Sequence, residues 1–286
     1  MQNRRWVLIA GSLLSIALGG IAAASPVASK PDAALTAAIA GTHRTEANKA
    51  RDPARHPYES LSFWGLRPGL SVIEVSPGGG YWTEILAPYA KATGGTYTAG
   101  VADLDNPALS EGARKARAAL EARFADQNVY GAVRFANFGP VSARLGAAGS
   151  ADLVLTARNI HNWLSPAGLL DKVMSDFYDV LKPGGVLAVE EHRSDPLPQA
   201  PGAPSGYMST AFVVAAAERA GFKLAAASEI NANPADDKDH PFGVWTLPPV
   251  KRTAPAGQPA NPAFDRSAYD AIGESDRMTL RFVKPK

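Results

Sequence analysis

The sequence predicts an α/β fold: a doubly wound, mostly parallel sheet with helices on both faces, preceded by an N-terminal helical segment. Three observations carry this. Short β-branched runs alternate with stretches whose apolar residues recur at helical spacing. The first run lies in SVIEVSPGGGYWTEILAPYA, residues 71–90, where a glycine-rich turn stops a strand and a helix follows. Sheets of this class open a ligand crevice in that way, above the carboxyl ends of their strands. Finally, 286 residues with 46% hydrophobic and 20% charged content suffice for one domain with a substantial core.

Residues 1–24 stand apart. Arg4 and Arg5 precede an apolar run from 6 to 24, and Ala22, Ala23 and Ala24 offer a small-residue cleavage site, the pattern of an export signal. The paired arginines also fit a twin-arginine signal, and the run is long enough for an uncleaved anchor. The expectation is an exported, periplasmic protein with no stable membrane span once the signal is removed. Losing Arg4 and Arg5 and no acid leaves 27 of the 29 basic residues against 27 acidic ones. With no excess of positive charge, nucleic acid is not an expected partner. The absence of cysteine excludes a disulfide scaffold, a Cys-ligated zinc and a thiolate nucleophile.

Residues 25–54 read as a linker and helical cap, with an Ala-rich helix over 33–40 and a polar outer helix over 44–55. In RHPYESLSFWGLRPG, residues 55–69, His56, Tyr58, Phe63 and Trp64 either pack on the core as a lid-like segment or, with Arg55, close over a ligand. Val72, Ile73 and Val75 form the first strand. Trp82, Ile85, Leu86 and Tyr89 recur at i, i+3, i+4 and i+7, and Pro88 ends or kinks that helix. A second strand, 96–102, runs into Asp103, Leu104 and Asp105. Asn106 and Pro107 then read as the cap and first residue of a helix whose buried face is Leu109, Ala113, Ala116, Leu120 and Phe124.

Residues 133–138 form the third strand, with Asn137 near its end, and 152–157 the fourth. A polar and aromatic loop, 158–166, leads into a helix started by Ser165 and Pro166 and ended by Lys182, Pro183, Gly184 and Gly185. The fifth strand, 186–189, gives way to Glu190, Glu191, His192 and Arg193, the two glutamates reading as solvated loop acids. Residues 195–206 are too rich in proline and glycine for regular structure. A helix over 207–220 and a strand over 223–230 follow. Residues 242–247 read as a short strand or extended segment, 248–262 as a Pro-rich excursion, and Met278, Leu280 and Phe282 mark a terminal strand.

Several residues suggest chemistry. Gly78 and Gly80 supply G-x-G, but Thr83 stands where a dinucleotide fingerprint has its third glycine. Asp103 lies about twenty residues beyond the turn, where a carboxylate can accept from both hydroxyls of a ribose; it reads equally as a helix-entry acid. His161 and His192 each follow a strand at its carboxyl end and are the best candidate bases, with Glu191 as a further one; each histidine also reads as structural. No metal is expected, because the histidines and acids show no ligand spacing such as H-E-x-x-H.

From residue 55 to the end the chain resembles the class I S-adenosylmethionine-dependent methyltransferases, and specifically an exported, methyltransferase-like branch. VIEVSPGGGYWTEILAPY, ADLVLTARNIHNW, LKPGGVLAVEEHR and SDRMTLRFVKP carry the resemblance. It implies a seven-stranded sheet with an antiparallel C-terminal strand over 55–286, and S-adenosylmethionine as cofactor. It places Glu74, Ser76, Gly78, Gly79 and Gly80 in the first motif, with Ser76 replacing its first glycine. It matches Asp103 to the ribose acid, sets Asn137 in the cofactor site, and sets Asn159 and His161 where cofactor and substrate meet.

The leading functional expectation is an exported methyltransferase acting on a small-molecule or cell-envelope acceptor. A non-catalytic binding or structural module that keeps the fold, and a nicotinamide-dependent oxidoreductase, are the alternatives.

Overall fold

Four short helices precede the sheet in the computed structural model, which describes residues 31–286. The expected signal, 1–24, and most of the linker lie outside the described residues. The first helix, α1 (Ala33–Ala40), starts where the Asp32 carboxylate accepts from the Ala34 and Leu35 amides, and it buries Leu35 and Ala38. The expected polar outer helix over 44–55 is instead two single turns, α2 (Glu46–Lys49) and α3 (Asp52–Arg55). Arg44 and Arg55 are buried, because each meets a carboxylate: Arg44 holds Asp52 through two bonds of 2.7 Å, and Arg55 reaches Glu274 at 2.9 Å. The next helix, α4 (Pro57–Phe63), leads to Trp64, fully buried, whose indole N–H donates to the Leu280 carbonyl at 3.1 Å.

The sheet begins with β1 (Ser71–Val75), followed by α5 (Thr83–Thr93) and β2 (Thr96–Ala102). Then come α6 (Glu111–Arg123), α7 (Gln127–Tyr130), β3 (Arg134–Phe138) and β4 (Ala151–Ala157). The chain continues through α8 (Leu169–Val180), β5 (Leu181–His192), α9 (Thr210–Arg219) and β6 (Lys223–Ser228), and closes with α10 (Ser267–Ile272) and β7 (Arg277–Val283). The order is β3-β2-β1-β4-β5-β7-β6, with β7 antiparallel to both neighbours and β1 to β5 parallel.

This order sets the site. The chain winds outward from β1 to β3, then returns to place β4 on the other side of β1, so the direction of winding reverses between β1 and β4. Val75 pairs with Gly100 and with Thr156, and Thr156 with Val189, which aligns four strand ends on one edge above that switch point. Alternation along β1 feeds two cores: Ile73 and Val75 join the cluster under α8 and α9, and Val72 joins the cluster with α1 and α5. Each such side chain contributes roughly 1.5–3 kcal/mol by burial.

Several boundaries differ from the sequence reading. The second long helix starts after Ser110, whose hydroxyl accepts the Ala113 amide, and not at Asn106. Residues 165 and 166 precede α8 without joining it, the helix starting after Gly168. Residues 182–185 belong to β5, where Gly184 and Gly185 exchange backbone bonds with Lys284. Tyr207 and Met208 stay extended because Met208 pairs with Arg193 and Ser194, and residues 243–246 form a 3-10 turn instead of a strand.

Pro88 neither ends nor visibly interrupts α5. Proline has no N–H to give the carbonyl four residues back, and that orphan, the Glu84 carbonyl, is taken by His43 Nε2 at 2.8 Å. The His43 ring also packs edge-on against Tyr130. His43→Phe keeps a ring there and leaves the carbonyl without its partner. A loss of about 1 kcal/mol is expected, read as a lower urea midpoint at an unchanged m-value.

Candidate functional site

The site starts at the turn after β1. Ser76 adopts a left-handed φ of 51° and donates its N–H to the Gly100 carbonyl at 2.8 Å, so the residue replacing the motif's first glycine is held in the conformation a glycine would take freely. A Cβ added at Gly78 or Gly79 would meet nothing within 4 Å, so bare main chain there faces open space. Gly80 differs. A Cβ there would sit 2.6 Å from the Phe124 ring, so this glycine serves packing against the end of α6 and lies off the crevice floor.

Two cavities flank the turn. The first, about 300 Å³, has Val75 to Gly79 as floor, and its walls include Arg51, Tyr81, Arg158, His161 and His192. Trp245 and Pro248 to Val250 roof it, which gives the Pro-rich excursion a place over the crevice. The second, about 310 Å³, shares Ser76, Pro77, Gly78 and Asn159 with the first and runs over the end of β2 to Ala113, Ala116 and Arg117 on α6. Together they form a trough across the glycine turn.

Glu74 lies beneath the floor, buried, its Oε2 accepting from the Thr83 hydroxyl at 2.9 Å and from the Tyr97 hydroxyl. It thereby ties the strand to the start of α5. Burial raises its carboxyl to about 7, against the pull of those two hydroxyls. Asn159 donates to the Val75 and Ala157 carbonyls at 3.2 and 3.1 Å and so locks the loop after β4 to the turn.

Glu191 is the centre of the wall that carries the two histidines. It is fully buried, contrary to the reading of a solvated loop acid, because four donors converge on it. Its Oε2 accepts the Ile160 and His161 amides at 2.6 and 3.3 Å; its Oε1 accepts the His192 amide at 2.8 Å and His161 Nδ1 at 3.0 Å. A carboxylate only accepts, so His161 Nδ1 carries a proton, and in the neutral ring Nε2 holds the lone pair. The His192 ring lies 5.4 Å from it and is fixed by Ser275 Oγ at 2.6 Å. Burial, then the charges of His161, Arg158, Arg277 and Arg55, hold His192 well below the usual histidine range, so it is neutral.

Glu190 is also buried rather than solvated, with Arg277 at 2.7 Å. Arg277 further meets Glu274 at 3.0 Å, and Arg51 and Arg55 reach Glu274 at 2.7 and 2.9 Å. Against the cost of burial, these cations hold Glu274 down to about 2.

Other expected residues fall elsewhere. Asp103 lines neither cavity: it is buried, and its Oδ1 accepts the Asp105 amide at 3.0 Å, closing a local turn. Asn137 also lines neither. It cross-braces β3, its Oδ1 accepting from Arg117 and its Nδ2 donating to Asp105 at 2.8 Å. Arg55, His56 and Tyr58 do not close over the trough; the residue that lines it is Arg51. Sequence reasoning missed Arg51, Tyr81, Arg158 and Trp245. A conceivable signal was Arg158 opening a polar loop at a strand's carboxyl end.

Among the described residues, two groups bring metal-ligating atoms within 4.8 Å of one another: His161, Glu191 and His192, and Asp236, Asp237 and His240. In the first, the carboxylate is already occupied by four donors and arginines stand nearby, a poor setting for a cation. In the second, Asp236 is buried, bonding the Tyr207 hydroxyl, His240 Nε2 and the Asp276 amide at 2.9, 2.9 and 2.7 Å, which makes it a brace.

No protein-family model and no curated protein matches the chain. Among solved structures, the 4+2 cyclase SpnF aligns with 88% of this chain and 91% of its own, at 14% identity and TM-score 0.52. A putative sarcosine dimethylglycine methyltransferase from Galdieria sulphuraria aligns with 83% and 87%, at 12% identity and TM-score 0.50. At such identities the likeness concerns the backbone. The strand order and the antiparallel β7 are those of the class I methyltransferase fold.

Because the folded Glu74 carboxyl titrates near 7 and the unfolded one near 4.5, the folded state keeps a proton that the unfolded chain has released. Stability therefore falls as pH rises between those values. Glu74→Gln, which can still accept both hydroxyls, is expected to flatten that slope. It should gain roughly 2–3 kcal/mol over the parent chain at pH 8 relative to pH 4, measured by urea denaturation.

Proposed function

We propose that this protein is an exported S-adenosylmethionine-dependent methyltransferase acting on a small-molecule or cell-envelope acceptor. The observation that carries the reading is the juxtaposition across one trough: bare backbone at Gly78 and Gly79 on its floor, and the His161–Glu191 pair on its wall. The fold points the same way. Export rests on residues 1–24 and leaves the acceptor to be met outside the cytoplasm.

The residues present fit the cofactor at the turn, since no side chain fills the space over Gly78 and Gly79. Those glycines, with Ser76, Pro77 and Asn159, would hold its middle, and the second cavity would take its nucleoside end. Asp103 follows Ala102 on that cavity's rim; its Oδ1 is taken by the Asp105 amide, which leaves Oδ2 as the oxygen a ribose hydroxyl would meet. When bound, the cofactor supplies an electrophilic methyl group on a sulfonium.

The protein's own part is alignment and proton removal. His161 Nε2 accepts a proton from the acceptor, and Glu191, held by three backbone amides, stabilises the resulting imidazolium and fixes the ring. Neutral His192 beside it adds no opposing charge. Trp245, 5.9 Å from His161, covers the pair.

The engagement of Asp103 Oδ1 by its own loop, and its absence from both cavity linings, favour one competing reading, a binding module that keeps the fold without transfer. The oxidoreductase alternative is weaker: Thr83, at the third glycine position, is spent on Glu74.

Three measurements decide between them. S-adenosylhomocysteine at about one hundred times its Kd is expected to add about 2.7 kcal/mol and raise the melting temperature by several degrees, with no shift from NAD. Gly79→Val, which fills open space, is expected to weaken that binding at least tenfold with the fold intact; unchanged affinity would remove the cofactor site. His161→Asn should lower transfer about 10²–10⁴-fold while S-adenosylhomocysteine affinity stays within about threefold. Cofactor binding with no turnover on any acceptor fraction would favour the binding module.

A further inference from the structure

The wall of the first cavity carries more positive charge than its partners neutralise. Arg51, Arg55, Arg158 and Arg277 meet only two carboxylates in that network, Glu190 and Glu274. The shortfall is visible atom by atom. Arg51 Nη2, both terminal nitrogens of Arg55, and the Nε atoms of Arg158 and Arg277 are buried donors with no partner. Buried polar groups are nearly always paired, and an unpaired one costs about 1–3 kcal/mol. The cluster also holds one orphan acceptor, Glu190 Oε2, and Arg55 lies over the Tyr81 ring at 4.5 Å, but the donors still outnumber what those two can take and require a purpose or a missing partner.

Two of these arginines, Arg51 and Arg158, line the cavity directly, beside His161 and His192. Arg158 also holds a left-handed φ of 60°, with its N–H fixed to the Glu190 carbonyl at 2.7 Å. A non-glycine residue kept in that region marks a place where the surroundings impose a backbone geometry. The charges around it respond consistently: Arg55 is lowered to about 9, first by burial and then by Arg158.

We propose that Arg51 and Arg158 form an oxyanion-binding subsite for a carboxylate or phosphate carried by the acceptor. A guanidinium suits such a group because its planar donors match two oxygens at once. Assignment of the anion to the acceptor rests on the wall that the subsite shares with His161 and His192. The methionine end of the cofactor would enter the same cavity, so competition by S-adenosylhomocysteine separates the two anions. An anion seated there would neutralise the excess charge and hold the acceptor beside His161 Nε2. Identifying the ligand as the acceptor rests on the transferase reading; the anion subsite does not.

Calorimetric titration of the full chain with inorganic phosphate, acetate and acetamide at constant ionic strength tests this. Saturable binding of phosphate or acetate, with none of acetamide, is expected. Arg158→Met and Arg51→Met should each weaken it at least tenfold, Arg51→Lys should recover part of it, and Arg219→Met, a surface change, should leave it unaltered. Arg158→Met, which removes the one arginine of the four with no carboxylate in hydrogen-bond reach, should not lower the melting temperature in anion-free buffer, which separates lost binding from lost folding. Absence of saturable anion binding, or binding indifferent to Arg158→Met, overturns the subsite. If saturating S-adenosylhomocysteine abolishes anion binding, the subsite belongs to the cofactor's carboxylate and the acceptor assignment falls. If phosphate binds while S-adenosylhomocysteine does not, the anion subsite stands and the transferase reading fails.

Discussion

One carboxylate, that of Glu274, joins the two ends of the described chain. It accepts from Arg51 and Arg55, more than two hundred residues earlier, and from Arg277 at the start of β7. With the Arg44 and Tyr81 bonds to Asp52, it fixes α3, a single turn that cannot hold itself together. A buried ion pair is a doubtful source of net stability, because taking both charges out of water offsets the attraction between them. Its value here is geometric. It brings Arg51 to the rim of the trough and couples that rim to β5 through Glu190.

The trough is assembled from distant parts by similar long-range ties. Trp64 bonds the backbone of β7, Glu191 gathers the loop after β4, and Asn159 fastens that loop to the glycine turn. The roof comes from residues 244–250, in a stretch with no regular element longer than one turn. A parallel sheet supplies the rigid base because its strands end together, and everything chemical hangs from those ends.

Much of this architecture was legible. Apolar periodicity located the strands and most helices, and the glycine turn located the crevice. The site was legible only in part. Arg51, Arg55 and the acids Glu190 and Glu191 read as solvated because ionised side chains are rarely buried without a partner, and their partners lie far off in sequence. Pro88 read as a helix stop because nothing local reveals that His43 takes the carbonyl it frees. Asp103 sat at the right spacing, but the short turn to Asp105 claims one of its carboxylate oxygens.

The sequence by itself determined the alternation of strands and helices, the two-sided burial of β1 and the break at residues 77–80, since these follow from the residue pattern along a short length of chain. Only the tertiary structure decided which polar groups face the cleft, that Gly78 and Gly79 are open while Gly80 is filled by Phe124, and that four arginines share two carboxylates. The physical reason is range. Hydrophobic periodicity is written over a few residues, whereas the pairing of a buried charge depends on which distant segments the folded sheet brings alongside it.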